Sequence, residues 1–235
     1  MKDGTININL EVQDEACLVV GGGKVAERKA KMLYDAGAEL KIISPDLTDS
    51  FMSFIHDEKL DHSERKFKEE DVEDKFLIIA ATSDREVNRK VSQTAKKRNA
   101  LVNVVDDKDL SNFTLTADFS RGLLNIAVST SGKSPALSAA IKERLKNEFG
   151  EAYEKYLKVL SRLRPEIIKK YPAERRREIL LGLGDNRVER ALSEGDLEKA
   201  LDSAFKNIPK ELEEMFINIL KDVEVDSDGE FDHRD

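Results

Sequence analysis

Four stretches of this chain combine residue types with a spacing that chemistry could use. The first is Gly21-Gly22-Gly23, set between an apolar run ending at Val20 and a helical pattern starting at Lys24. Gly21-x-Gly23-x-x-Ala26 fits a dinucleotide-binding fingerprint. Gly21 permits a tight turn, Gly23 lets the backbone approach a pyrophosphate, and Ala26 lets the helix lie close to the strand. The helix N-terminus adds unpaired N–H groups and a partial positive charge. A ribose would sit at the end of the second strand, where an acid usually takes its hydroxyls. Here that place holds Ser44, with Asp46 two residues on, and either could bond a ribose.

The second stretch is Thr82-Ser83-Asp84, after the apolar run Phe76–Ala80. Small neighbours leave room for a nucleotide, and Asp84 equally suits capping of the next helix. The third is Asp106-Asp107, at the end of the apolar stretch 100–105. Such carboxylates form turns, or act as a general base in a ligand crevice, or steer a metal ion into a substrate. The fourth is Ser129-Thr130-Ser131-Gly132-Lys133-Ser134-Pro135. It lacks the first glycine of a phosphate loop. It is either a small-residue lead into a capped helix or a loop closing over an anionic substrate, with Lys133 as the charge. None of His56, His62 and His233 has a partner at metal-ligand spacing, and no resident metal is expected.

The elements that must position these groups follow from apolar periodicity. Ile6, Ile8, Leu10 and Val12 alternate, which predicts a half-buried strand over 5–12. Core strands are predicted at 16–20, 40–43, 76–80 and 100–105, with a short third strand at 64–67. Helices are predicted at 24–36, ended by Gly37, at 48–58, and after Asp84 with Val87, Val91 and Ala95 on one face. Strands alternating with helices predict an α/β fold, a Rossmann-like parallel five-stranded sheet in the order 3-2-1-4-5. That order turns the glycine loop and the Thr82–Asp84 loop toward one crevice, with Asp106 beside it.

After Asp109 the alternation breaks. Two strands are predicted within 113–130, joined at Ser120-Arg121-Gly122. Ser134-Pro135 opens a helix to about Glu148, with Ser as N-cap and Pro in the first turn. The rest to about 222 reads as helices interrupted at Pro165, Pro172, Gly182/Gly184, Gly195 and Pro209. The expected organisation is a dinucleotide-binding domain over 1–112, a small α+β segment over 113–148, a helical domain over 149–222 and a disordered acidic tail over 223–235.

The net charge is −8, of which residues 221–235 carry −5. No basic patch interleaved with aromatics supports nucleic-acid binding. No apolar run approaches the ~18 residues of a membrane span, and the first residues contain no signal-peptide core. Cys17, the one cysteine, falls inside the first strand pattern and reads as a buried structural thiol. A cytoplasmic protein is expected.

The segments 17–30, 80–88, 103–107 and 127–137, in this order and spacing, resemble the precorrin-2 dehydrogenases: the siroheme-synthase N-terminal module and its free-standing relatives. The resemblance spans about residues 5–150. It implies oxidation of precorrin-2 to sirohydrochlorin with hydride transfer to NAD, and in some members a second, lyase activity that inserts Fe²⁺ to give siroheme. It implies that Asp106 serves both steps and that Lys24, Val25, Pro45 and Asp46 touch the nucleotide. It also implies a homodimer built on residues around 113–145. The methyltransferase module of fused members is not expected here. A substrate bearing many carboxylates calls for local cations, and Arg28, Lys133 and Lys142, with Ser131, are the candidates. The competing reading is a non-catalytic nucleotide-sensing Rossmann module, which would favour an acid directly at the end of strand 2.

Overall fold

The computed structural model describes residues 4–206 and 208–229. The chain divides into two compact units between Leu115 and Thr116.

The first unit is built on five parallel strands: β1 (Ala16–Val20), β2 (Glu39–Ile43), β3 (Asp61–Ser63), β4 (Leu77–Ala80) and β5 (Leu101–Val104). Their order is β3-β2-β1-β4-β5, as the alternation predicted. The central strand shows why both faces must be covered. Cys17 and Val19 enter one core with Ala26, Ala30 and Leu33 of α1 (Lys24–Asp35) and Phe51 and Ile55 of α2 (Asp49–Asp57). Leu18 and Val20 enter the other, with Val91 and Ala95 of α3 (Arg85–Lys97). A strand buried on both faces reads as a continuous apolar run, and β1 is one. Cys17 is fully buried; burial first, and then the charge of Glu15, push its thiol up to about 11. It is an inert core group at neutral pH.

Helix α1 ends as expected, with Gly37 at φ +80 donating to Tyr34 O (2.9 Å) and Ala38 N to Leu33 O (3.0 Å). Two strand expectations fail. Residues 5–12 pair with no strand among the described residues; Ile6 and Ile8 stay 84% and 66% exposed, and Val12 alone of the alternating set is buried. Alternation makes a strand only where a ladder edge is available. The third strand lies at Asp61–Ser63, not at 64–67. Its residues are polar and half-exposed because β3 is a sheet edge, so it lacks the apolar signal of a core strand.

The second unit opens with an antiparallel hairpin, β6 (Ala117–Arg121) and β7 (Leu124–Val128). Gly122, at φ +53, makes the turn against the side chain of Glu154. Helix α4 (Pro135–Glu148) follows, with Ser134 Oγ accepting from Leu137 N at 3.3 Å. Helices α5 (Glu151–Lys170), α6 (Ala173–Gly182), α7 (Asn186–Ser193), α8 (Leu197–Phe205) and α9 (Lys210–Gly229) pack round a core of Tyr156, Leu163, Ile167, Ile179 and Phe216. Pro165 does not interrupt α5, contrary to expectation. It sits on the exposed side between the buried Leu163 and Ile167, where burial of that stripe outweighs the ~3 kcal/mol cost of an internal proline. Helix α9 also runs into the segment expected to be a disordered tail, reaching Gly229. No proline or glycine stands between Lys210 and that glycine, so nothing in the sequence breaks the helix before it. The rest of that tail, 230–235, lies outside the described residues.

One buried charge ties the helices of the first core together. Glu27, in the first turn of α1, is buried. Its carboxylate accepts from Lys31 Nζ (2.8 Å), Ser50 Oγ (2.7 Å) and Thr48 Oγ1 (3.5 Å). Hydrogen bonds from Lys31 and then Ser50, which outweigh burial, hold its pKa below the ordinary 4.5. A carboxyl with a lowered folded-state pKa stabilises above its unfolded value and loses that contribution as pH falls through the folded one. Glu27→Gln is therefore expected to cost about 1–3 kcal/mol at pH 7. Melting curves from pH 7 down to 3 should show the gap to the unmodified chain closing below about 4.5; a gap independent of pH would show that Glu27 does not act through its charge.

Candidate functional site

A cavity of about 730 Å³ opens at the carboxyl ends of the parallel strands. The sequence placed ten nucleotide-contact candidates, and all ten line it: Gly21, Gly23, Lys24 and Val25 from the β1–α1 turn, Ser44, Pro45 and Asp46 after β2, and Thr82, Ser83 and Asp84 after β4. Asp106, at the end of β5, lines it too.

The glycine turn is held on both sides. Gly21 N donates to Ile43 O (2.9 Å), and Thr48 N donates to Gly22 O (2.9 Å). A Cβ on Gly21, at φ +128, would lie 2.5 Å from Ala81 O; one on Gly22 would lie 1.8 Å from Asp46 O. Both glycines are thus required by the protein's own backbone. Gly23 differs: a Cβ there meets nothing within 4 Å, and its φ of −87 suits any residue. It is the N-cap of α1 and, unlike Asp84 and Ser134 on α3 and α4, supplies no side-chain cap. The open space at Gly23 and the uncapped helix N-terminus beside it form a cradle that fits a pyrophosphate. Gly22, passed over as a spacer in the fingerprint, carries the tightest contact.

The other lining groups separate into engaged and available. Ser44 is buried and its hydroxyl donates to Asp46 O at 2.6 Å, so its proton serves the turn. Asp46 is exposed at the cavity and is the group there able to take ribose hydroxyls. Asp84 Oδ1 accepts from Glu86 N (2.9 Å) and Val87 N (3.3 Å). Thr82 Oγ1 lies 2.8 Å from Asn88 Oδ1, and Asn88 Nδ2 donates to Thr82 O at 3.0 Å. The buried Asn88, which was not singled out, fixes this loop from one helical turn away.

The paired aspartates have different jobs. Asp107 Oδ1 accepts from the amides of Asp109 and Leu110, both at 3.2 Å, so this side chain forms the turn. Asp106 is exposed, stands in the left-handed region at φ +62, and lines the cavity.

Arg65, Lys66 and Phe67 line the cavity without having been anticipated. Misplacing β3 hid them. With the strand ending at Ser63, these residues fall at the carboxyl end of a parallel strand, where ligands bind. Arg65 is braced by Asp71, which is buried: Nη1 and Nη2 donate to the two carboxylate oxygens at 2.8 and 2.6 Å, and Lys68 N adds a third bond at 2.7 Å. Burial pushes the Asp71 carboxyl up, but Arg65 and the Lys68 amide together outweigh it and hold it below its ordinary value.

The substrate-side candidates fall in both units. Arg28 lies one turn beyond Lys24 on α1 and is not part of the cavity lining. Ser131, Lys133 and Lys142 belong to the second unit. There the 129–135 loop is knit to itself. Thr130 Oγ1 accepts from Ser134 N (3.0 Å), Ser131 N donates to Ser129 Oγ (3.1 Å), and Lys133 N donates to Thr130 O (2.9 Å). Lys133 is exposed, and Lys142 lies 3.5 Å from Glu143. Among the described residues, no three His, Cys, Asp or Glu side chains form a group that could hold a metal ion, and no helix is long and apolar enough to cross a membrane.

Comparison with known proteins extends this geometry. An NAD(P)-binding family model matches residues 8–117, and the central family model of sirohaem biosynthesis proteins matches residues 121–148. A solved structure named SirC, precorrin-2 dehydrogenase, superposes with a TM-score of 0.69 at 30% identity, covering 86% of this chain and all of that one. This chain belongs to the precorrin-2 dehydrogenase family. Siroheme synthases of Photobacterium profundum (42% identical over 57% of this chain) and Nitrosococcus oceani (34% over 84%) are further relatives. The chain spans 29% and 44% of their lengths, respectively. The first unit is therefore an NAD(P)-binding domain, and a nicotinamide cofactor is the group its cradle fits.

The glycines give a sharp test. Gly22→Ala is expected to lower stability by about 1–3 kcal/mol, because the turn must move off Asp46 O. Gly23→Ala should melt within about 0.5 kcal/mol of the unmodified chain yet bind NADH at least tenfold more weakly, to order of magnitude. Calorimetric melting with NADH fluorescence titration measures both. Tight binding by Gly23→Ala would remove the pyrophosphate from that cradle.

Proposed function

We propose that this chain oxidises precorrin-2 to sirohydrochlorin, using NAD as hydride acceptor. The observation that carries the reading is Asp106. It is an exposed carboxylate, free of the turn that engages Asp107, on the same cavity as the uncapped glycine-rich N-terminus of α1. The name of the structural relative, a precorrin-2 dehydrogenase, supplies the substrate class.

The oxidation removes two hydrogens from the macrocycle, one as hydride and one as a proton, and leaves a new double bond. When bound, the nicotinamide ring accepts the hydride. The chain does the rest. Gly23 and the first turn of α1 receive the pyrophosphate, and Asp46 takes the ribose hydroxyls. Asp106 accepts the proton that leaves as the hydride goes, for which a positioned carboxylate suffices. In the same reading ferrous iron is a substrate of the second activity. The macrocycle nitrogens bind it as they release two protons, which Asp106 accepts one at a time and passes to solvent.

The reading includes a homodimer in the cytoplasm. The resemblance implies the first, on the hairpin–α4 segment that the sirohaem central model matches. The free, buried Cys17 is in keeping with a reducing compartment.

The deciding assay is anaerobic: purified protein, precorrin-2 and NAD, with NADH and sirohydrochlorin absorbance followed together. Asp106→Asn should lose turnover by about 10²-fold or more while binding NADH as the unmodified chain does. Asn tolerates the left-handed backbone at this position, so its melting curve should be unchanged. Turnover retained in Asp106→Asn would remove this aspartate from the mechanism. Tight nucleotide binding by the unmodified chain without turnover would return the sensor reading.

A further inference from the structure

The brace between Arg65 and Asp71 is not used by the chemistry above, yet it stands at the cavity wall. Ser44 N donates to Ser63 O (3.3 Å) and Arg65 N to the same oxygen (2.8 Å). The 44–46 turn and Arg65 therefore leave neighbouring strands side by side, and both line the cavity. In this fold class the end of β2 meets the adenosine ribose, and a nearby guanidinium is the group that receives the 2′-phosphate of NADP. Arg65 has the position and the chemistry for that task.

Three of its five N–H donors are already engaged, among them the pair that would grip an anion bidentately. Asp71 takes one N–H from each terminal nitrogen, and Lys66 O lies 3.1 Å from Nη1. The side chain of Asp71 is 4% exposed and that of Arg65 34%. The carboxylate thus sits behind the guanidinium, away from water, and neutralises it across a bidentate pair. Such a pair fixes the guanidinium's geometry as well as its charge. Asp46, on the open side of the same end, adds a negative charge facing the ligand.

We propose that Asp71 sets a preference for NAD over NADP by occupying Arg65, the one guanidinium at the ribose end of the cavity lining. Asp71 is a positioning residue: it acts through Arg65 and touches no ligand. The proposal rests on the reading of the cavity as a dinucleotide site with the adenosine ribose at the 44–46 turn. The buried aspartate keeps the neighbouring arginine from answering a 2′-phosphate, and the exposed Asp46 repels one.

The test is direct titration of the purified full chain with NADH and NADPH, followed by fluorescence, for the unmodified protein, Asp71→Asn, Arg65→Gln and the double variant. The unmodified chain should favour NADH. Asp71→Asn should tighten NADPH binding about tenfold, with NADH changed less than about twofold, and Arg65→Gln added to it should abolish the gain. Arg65→Gln alone should leave the NADPH-to-NADH ratio where it was, since the guanidinium it removes is already occupied. An unchanged ratio in a normally melting Asp71→Asn overturns the proposal. So does a selective loss of NADPH binding in Arg65→Gln, which stays decisive should Asp71→Asn fail to fold. Binding of neither nucleotide by the unmodified chain would instead sink the cofactor reading on which the proposal rests.

Discussion

The backbone of the β1–α1 turn passes so close to its neighbours that only glycine fits, and the rest of the site depends on that contact. A Cβ on Gly22 would stand 1.8 Å from Asp46 O, and one on Gly21 would stand 2.5 Å from Ala81 O. The turn is thereby pressed between the loops that follow β2 and β4. Two backbone bonds, Gly21 N to Ile43 O and Thr48 N to Gly22 O, hold it there. Three loops that would otherwise vary independently become one surface. The close approach also fixes where α1 begins, and its first residues, Lys24 and Val25, line the cavity.

Buried polar side chains secure this surface from behind. Glu27 joins α1 to the start of α2 through Thr48 and Ser50. Asn88 holds Thr82, and Asp71 holds Arg65. Desolvating the two carboxylates offsets much of what their bonds return, although breaking such a set leaves its partners unpaired, and the bonds of the neutral Asn88 amide are individually modest. The common property of the three side chains is placement: each lies one layer beneath a residue that lines the cavity. Apolar packing against the sheet could not fix these loops, since they lie beyond the ends of the strands. Directional bonds can.

Much of this was legible in the sequence because the strongest signals coincide with the deepest burial. β1 and β4 are apolar runs enclosed on both faces, β2 and β5 are largely apolar, and their alternation with helices gave the strand order. The failures share one cause: they are places where burial is decided by a neighbour the local sequence does not name. Residues 5–12 have the alternation of a strand and no ladder to join. β3 has a ladder and, as an edge strand, little apolar content. Pro165 is outweighed by Leu163 and Ile167 on the opposite side of α5. The error in β3 had a functional cost, since it kept Arg65 and Lys66 out of view; placing the strand end at Ser63 brings them to the cavity rim.

Residue type alone was equally unable to divide labour within a motif. Ser44 and Asp46 were interchangeable ribose partners until the structure engaged the Ser44 hydroxyl with Asp46 O, leaving the carboxylate. Asp106 and Asp107 were alike until Asp107 accepted two turn amides. The same rule governs both pairs. A group whose bonding capacity is spent on the backbone shapes the site, and its neighbour, left unspent at the cavity, is the one available to a ligand. Gly23 is the limiting case: no neighbour would meet a Cβ there within 4 Å, and the space it leaves opens on the cavity.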